Sequence, residues 1–210
     1  MQENTLSHAR ELICINVEKV YDWVMKEISF EISPSNPIYF HGLPQNPDLN
    51  HAHVTCQVRP DEENPVVILK RENRHFTVDG KSVTLQQLTI KKNFVVTICL
   101  TIHGMTYTSR EIEVSRIENV VMCAPKGTNV DVTYTDLDCF VSSTGTITPA
   151  ANNTVNFENL SISVTVCQSI QSTFPVTVEF LADYCEPRSE LPLSSCSPAG
   201  RPSNCSVVFP

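Results

Sequence analysis

Val83-Thr-Leu-Gln-Gln-Leu-Thr-Ile90 and Val155-Asn-Phe-Glu-Asn-Leu-Ser-Ile162 fit one pattern, V-x-[LF]-[QE]-[QN]-L-[TS]-I, at every position. Each octet leads into a β-rich run that ends in cysteine, Val95-Val-Thr-Ile-Cys99 and Ser163-Val-Thr-Val-Cys167. Each half then closes on Cys-x-Pro, at Cys123-Ala-Pro125 and Cys185-Glu-Pro187. Self-similarity of this kind marks duplicated structural units. Within each octet the apolar alternation changes phase, between Leu85 and Leu88 and between Phe157 and Leu160. A period-2 pattern changes phase at a bend, a bulge or a crossover, so both octets are expected at a strand-to-strand corner.

Working outward, short apolar runs recur every 8–12 residues with turn signals between them, as in an all-β sandwich or barrel. Asp79-Gly80 and His103-Gly104 read as tight hairpin turns. The expected organisation is an N-terminal segment (1–51), a first sandwich module (52–126), a second (127–188) and an extended Pro/Ser/Cys-rich arm (189–210). Modules of about sixty to seventy residues are near the lower limit for a self-sufficient core, so they should lean on each other, on crosslinks or on neighbouring subunits. In the N-terminal segment, Val17, Val20, Tyr21, Val24 and Ile28 fall at helical spacing, but the β-branched content favours a strand. Ile28, Phe30 and Ile32 alternate as a strand and are a plausible donor to an open sheet edge, within the chain or in a neighbour.

The composition excludes several functions. With 15 basic against 23 acidic residues the net charge is −8, which disfavours a phosphate-binding face. Lys70-Arg71 with Arg74, and Lys91-Lys92, read as solvated turn charges. No apolar run approaches the ~18 residues that span a bilayer, so no membrane insertion is expected. The first ten residues lack a cationic start followed by an apolar core, so no signal peptide is expected. No enzyme is expected: Gly-x-Ser-x-Gly, His-Glu-x-x-His and glycine-rich phosphate loops are absent. Asp136 and Asp138 beside Cys139 oppose thiolate formation there. No Cys-x₂₋₄-Cys pair offers a zinc site, and His51-x-His53 with Cys56 reads as a pre-strand histidine pair rather than a metal centre. No cofactor is expected.

The nine cysteines are an odd number, so at least one thiol cannot pair within a monomer. Cys99 and Cys167 sit inside apolar strands and read as small core hydrophobes. Cys123 and Cys185 close their modules at edges. Cys14, Cys196 and Cys205 lie outside both repeated cores and are the candidates for disulfides between subunits.

The octets resemble the [FY]-x-N-L corner of bacterial immunoglobulin-like modules, which implies two tandem sandwiches of that kind. Across Cys14-Ile-Asn-Val-Glu-Lys-Val-Tyr-Asp-Trp-Val24, Val132-Thr-Tyr-Thr-Asp-Leu-Asp-Cys139, Cys167-Gln-Ser-Ile170 and Cys185-Glu-Pro-Arg188, the chain resembles uncharacterised cysteine-containing proteins of endospore-forming bacteria. It is similar to their spore-coat and exosporium components. The resemblance implies a structural, self-associating protein of a spore or cell surface layer, made in a mother-cell cytoplasm and oxidised after release. Its partners would be copies of itself and other surface-layer proteins. The alternative is an extracellular pair of binding modules, an adhesin for a glycan or a protein.

Overall fold

Strand propensity prevails over helical spacing throughout. The computed structural model describes residues 11–182, and among them are eleven β-strands and no helix. In chain order they are β1 (Glu11–Ile32), β2 (Ile38–Tyr39), β3 (His53–Pro60), β4 (Val66–Val78), β5 (Lys81–Ile102), β6 (Met105–Thr108), β7 (Ile112–Met122), β8 (Asn129–Ser143), β9 (Ile147–Ala150), β10 (Thr154–Phe157) and β11 (Ser161–Ala182). The segment that could have been a helix is β1. Its residues 22–32 alternate inward and outward with period 2, the even ones inward.

Three sheets form. One has the order β1-β11-β8 and a small one has β2-β10-β9. In the third, β5 is central: β4 and then β3 pair with one side of it, and β7 and then β6 with the other. The change from β4 to β3 falls at Asn93, which is fully engaged there. Its N–H donates to Pro65 C=O (3.0 Å) and its own C=O accepts from Asp61 N–H (3.0 Å). Its side chain donates to Asn64 C=O (2.6 Å) and accepts from Ser115 Oγ (2.7 Å). Asp79-Gly80 and His103-Gly104 make the expected hairpin turns, all four residues having positive φ.

The described chain divides into two compact units. One is residues 18–176; the other comprises the described ends, 11–17 and 177–182. In the smaller unit Thr177 Oγ1 donates to Asn16 Oδ1 (2.7 Å), and Leu12, Ile15, Val17, Val178, Phe180 and Leu181 are exposed. In the larger unit the expected boundary at Lys126-Gly127 is a turn, held from β4 by Arg71, which donates to the carbonyls of Pro125 (2.8 Å) and Thr128 (3.2 Å).

The larger unit has two hydrophobic clusters, and residues from both expected modules share them. In the first, Phe94, Val96, Ile98 and Leu100 of β5 join Ile162, Val164 and Val166 of β11, with Ile28, Phe30 and Ile32 packed against the cluster. The second holds Leu88, Ile90, Val120, Met122, Ala124 and Ile170, with Val24 against it. A layer of polar residues separates the two clusters. Lys92 lies between Ile90 and Phe94, Gln168 between Val166 and Ile170, Lys26 between Val24 and Ile28, and Glu118 below Val120. Each is at the inward phase of its strand. The Lys92 side chain has no solvent exposure and donates to both Glu118 Oε1 and Gln168 Oε1. Gln168 Nε2 also donates to Glu118 Oε1 (3.0 Å), and Lys26 Nζ lies 3.2 Å from Glu118 Oε2. Four strands of two sheets therefore meet in one polar group, three through hydrogen bonds and β1 through the Lys26–Glu118 ion pair, which disfavours a register slip in any of them.

The two octets differ in conformation. Residues 155–162 make the expected corner: β10 ends at Phe157, the chain turns through Glu158-Asn159, and β11 begins at Ser161. Gly145 is required opposite this turn, because its φ is +58° and an added Cβ would lie 2.7 Å from Asn159 N. Leu160 is buried at the corner in the first cluster. Leu160→Ala is expected to cost about 3 kcal/mol, measured by urea denaturation; a loss below about 1 kcal/mol would mean the corner does not bear on the core. Residues 83–90, in contrast, run straight inside β5 and make no corner. The sequence phase changes there because Gln86 occupies an inward position. Its Oε1 accepts from Ala124 N–H (2.8 Å) and its Nε2 donates to Asn73 Oδ1 (3.1 Å). Val83 and Leu85 lie on the opposite phase of the same strand.

Candidate assembly surface

The cysteines fall into distinct environments. Cys56 of β3 and Cys139 of β8 form a disulfide between two different sheets, closing a loop of 83 residues. Both follow the inward alternation of their strands, Val54-x-Cys56-x-Val58 and Leu137-x-Cys139-x-Val141. The bond removes Cys56 from any ligand set with His51 and His53. Among the described residues no cluster of three or more His, Cys, Asp or Glu is placed to hold a metal ion. Cys99 is a buried free thiol, and Cys123 and Cys167 are half-buried ones. Cys123 N–H donates to Asp22 Oδ2 (2.7 Å), which ties the end of β7 to β1. Cys14 is an exposed free thiol on β1. Cys185, Cys196 and Cys205 lie outside the described residues.

An open cleft of about 620 Å³ passes the disulfide and is lined by Arg59, Thr97, Glu111 and Asp138 among others. Arg59 is already committed there, to Glu111 (2.7 Å) and Glu62 (3.3 Å).

The outward side of β1 has a different character. Among the described residues β1 has one strand neighbour, β11, and none pairs with its other edge. Along residues 19–27 the outward, odd positions are Lys19, Tyr21, Trp23, Met25 and Glu27, all exposed. Trp23 and Met25 are each 59% exposed and Tyr21 38%, on a side chain class that folding normally covers. Trp23 is nevertheless fixed, since its Nε1 donates to Ser169 Oγ on the neighbouring strand (2.6 Å). Lys19 Nζ sits 4.9 Å from the centre of the Tyr21 ring, a cation–π contact along the same face. The even positions of β1 hold it against the fold, through Asp22, Val24, Lys26, Ile28, Phe30 and Ile32.

Two backbone contacts show which groups face the open edge. Trp23 N–H donates to the carboxylate of Asp22 (2.8 Å), and Glu31 C=O accepts from the guanidinium of Arg116 (2.7 Å). Neither partner is a strand. Backbone groups of alternate residues point to the same edge, so the odd residues of β1 present theirs outward.

Sequence reasoning singled out Cys14 and the 28–32 alternation but missed the Cys56–Cys139 bond and the polar layer. The available signal was phase: cysteine, lysine and glutamine at positions where the alternation demands a core residue. No protein-family model, curated protein or solved structure gives a significant match to this chain.

Proposed function

We propose that this protein is a structural, self-associating component of a bacterial spore or cell surface layer, cross-linked by disulfides. The observation that carries the reading is β1: a 22-residue strand with one edge that no described residue pairs, exposed apolar residues along its outward face and an exposed thiol at Cys14. Open apolar edges recruit further strands, and proteins that remain single normally blunt them. Beyond Thr173, where β8 stops pairing with β11, the sheet among the described residues consists of β1 and β11. A two-stranded ribbon is marginal by itself in water, and subunit contacts would stabilise it. The Cys56–Cys139 bond supports an oxidising destination. It also leaves seven of the nine cysteines, still an odd number, so complete pairing inside one chain is ruled out.

We also read the two halves as copies of one ancestral β module of immunoglobulin-like type. The support is the repeated octet in the sequence together with the long strand that carries it in the first half and follows it in the second. β5 and β11 are both 22 residues long, both central in their sheets, and both bury a run of even positions, 86–102 in β5 and 162–172 in β11.

The test is a non-reducing gel of oxidised wild type beside a Cys14→Ser, Cys196→Ser, Cys205→Ser triple variant. The expected result is a ladder in wild type that collapses to monomer in the variant. A ladder unchanged by the substitutions, or monomer alone in wild type, would reject the cross-linked layer.

A further inference from the structure

We infer that two copies of the chain pair through β1, antiparallel and edge to edge, about a twofold axis at Trp23. This deepens the assembly reading by naming the first contact it uses. The outward face of β1 reads Lys19-x-Tyr21-x-Trp23-x-Met25-x-Glu27, which is complementary to its own reverse. In an antiparallel pair, directly opposite residues share a face. Centring the pair on Trp23 sets Lys19 against Glu27 twice, Tyr21 against Met25 twice, and Trp23 against Trp23. On the inward face it sets Val20 against Lys26 and Asp22 against Val24. No like charges meet. Moving the centre to Asp22 would place two carboxylates opposite each other.

The backbone is arranged for this contact. Trp23 N–H donates to the side chain of its own neighbour, Asp22, a local contact that a strand partner can replace. On pairing, that N–H transfers to the Trp23 carbonyl of the second copy, and the reciprocal bond forms by symmetry. The ladder is bounded by Arg116, which occupies the Glu31 carbonyl further along the same edge. The Trp23 ring is already held over Ser169, so little side-chain freedom remains to be lost when it packs against its counterpart.

The test uses the full chain in reductant at low salt, so that disulfides play no part. Sedimentation velocity over a dilution series reads the monomer–dimer equilibrium, and the chain's one tryptophan reports the twofold centre by its emission. Wild type is expected to dimerise with a blue shift of Trp23. Lys19→Glu alone sets Glu against Glu twice, and Glu27→Lys alone sets Lys against Lys twice; each should weaken the dimer by about tenfold or more. Two arrangements restore the pairs: the double variant K19E/E27K with itself, and an equimolar mixture of the two single variants with each other. Both positions are exposed, and an unchanged melting temperature of the monomers confirms that folding is intact. A monomeric wild type at every concentration, or single variants that dimerise as wild type does, would overturn the proposal. So would a mixture that fails to associate. A dimer lost in these variants while the oxidised ladder persists would separate this contact from the disulfide-linked layer; a dimer without any ladder would do the reverse.

Discussion

Replacing Cys56 and Cys139 together by alanine should lower the stability of the folded chain by about 4 kcal/mol. The bond closes an 83-residue loop, and removing such a constraint from the unfolded ensemble carries roughly that value. For a chain of this size the loss corresponds to a fall in melting temperature of roughly 10 °C or more. The two cysteines lie on β3 and β8, strands of different sheets, so the bond holds the sheets together where neither strand is hydrogen-bonded to the other. Wild type in excess reductant should melt with the double variant. A variant within about 1 kcal/mol of oxidised wild type, in chemical denaturation, would show that the bond does not hold the sheets.

The second large effect is expected at the buried polar layer. Lys92→Met should destabilise by about 3–5 kcal/mol, because it leaves the Glu118 carboxylate and the Gln168 amide without their shared buried donor. The triple variant Lys92→Met, Glu118→Leu, Gln168→Leu removes the buried members of the group, leaves only the partly exposed Lys26, and should regain most of that loss. Failure of the triple variant to recover would mean that the layer contributes more than paired charges. The same lysine supplies a pH dependence. Burial pushes its ammonium down from 10.5 to about 7, and the charge of Lys26 acts in the same direction. The Glu118 carboxylate beside it pulls the other way and reduces the effect. With the folded-state value lowered, the unfolded chain holds a proton between about pH 7 and pH 10.5 that the folded chain releases. Stability from this group therefore rises with pH across that window. The difference between wild type and Lys92→Met, followed from pH 7 to pH 10, should show the slope in wild type and not in the variant.

Period-2 alternation carried most of the strand assignment, because most strands have one covered and one open face. The hairpins at Asp79-Gly80 and His103-Gly104 were legible for a related reason: their backbone needs positive φ, and the residues that tolerate it are few. The corner at Leu160 was legible because chain direction and burial phase change together there. The matching slip at Leu85–Leu88 was misleading. The backbone of β5 continues through it, and a satisfied glutamine takes a core position. Pairing partners were beyond reach of pattern alone. Nothing local to β5 reveals that its partner changes from β4 to β3 at Asn93, since that depends on loop ends brought from thirty residues away in the chain. The disulfide was hidden for the same reason. Cys56 and Cys139 are distant in sequence, and each drew attention to its local neighbours, His51 and His53 for one and Asp136 and Asp138 for the other. For the site, Cys14 and the outward apolar positions of β1 could be read from residue type, whereas the open edge that gives them meaning required the sheet order.

The central claim is that this chain assembles with itself. Electron microscopy of the purified, oxidised full-length protein tests it most directly. The account predicts fibres or sheets that persist in denaturant and disperse when reductant is added. Isolated particles of monomer size, before and after oxidation, would contradict it.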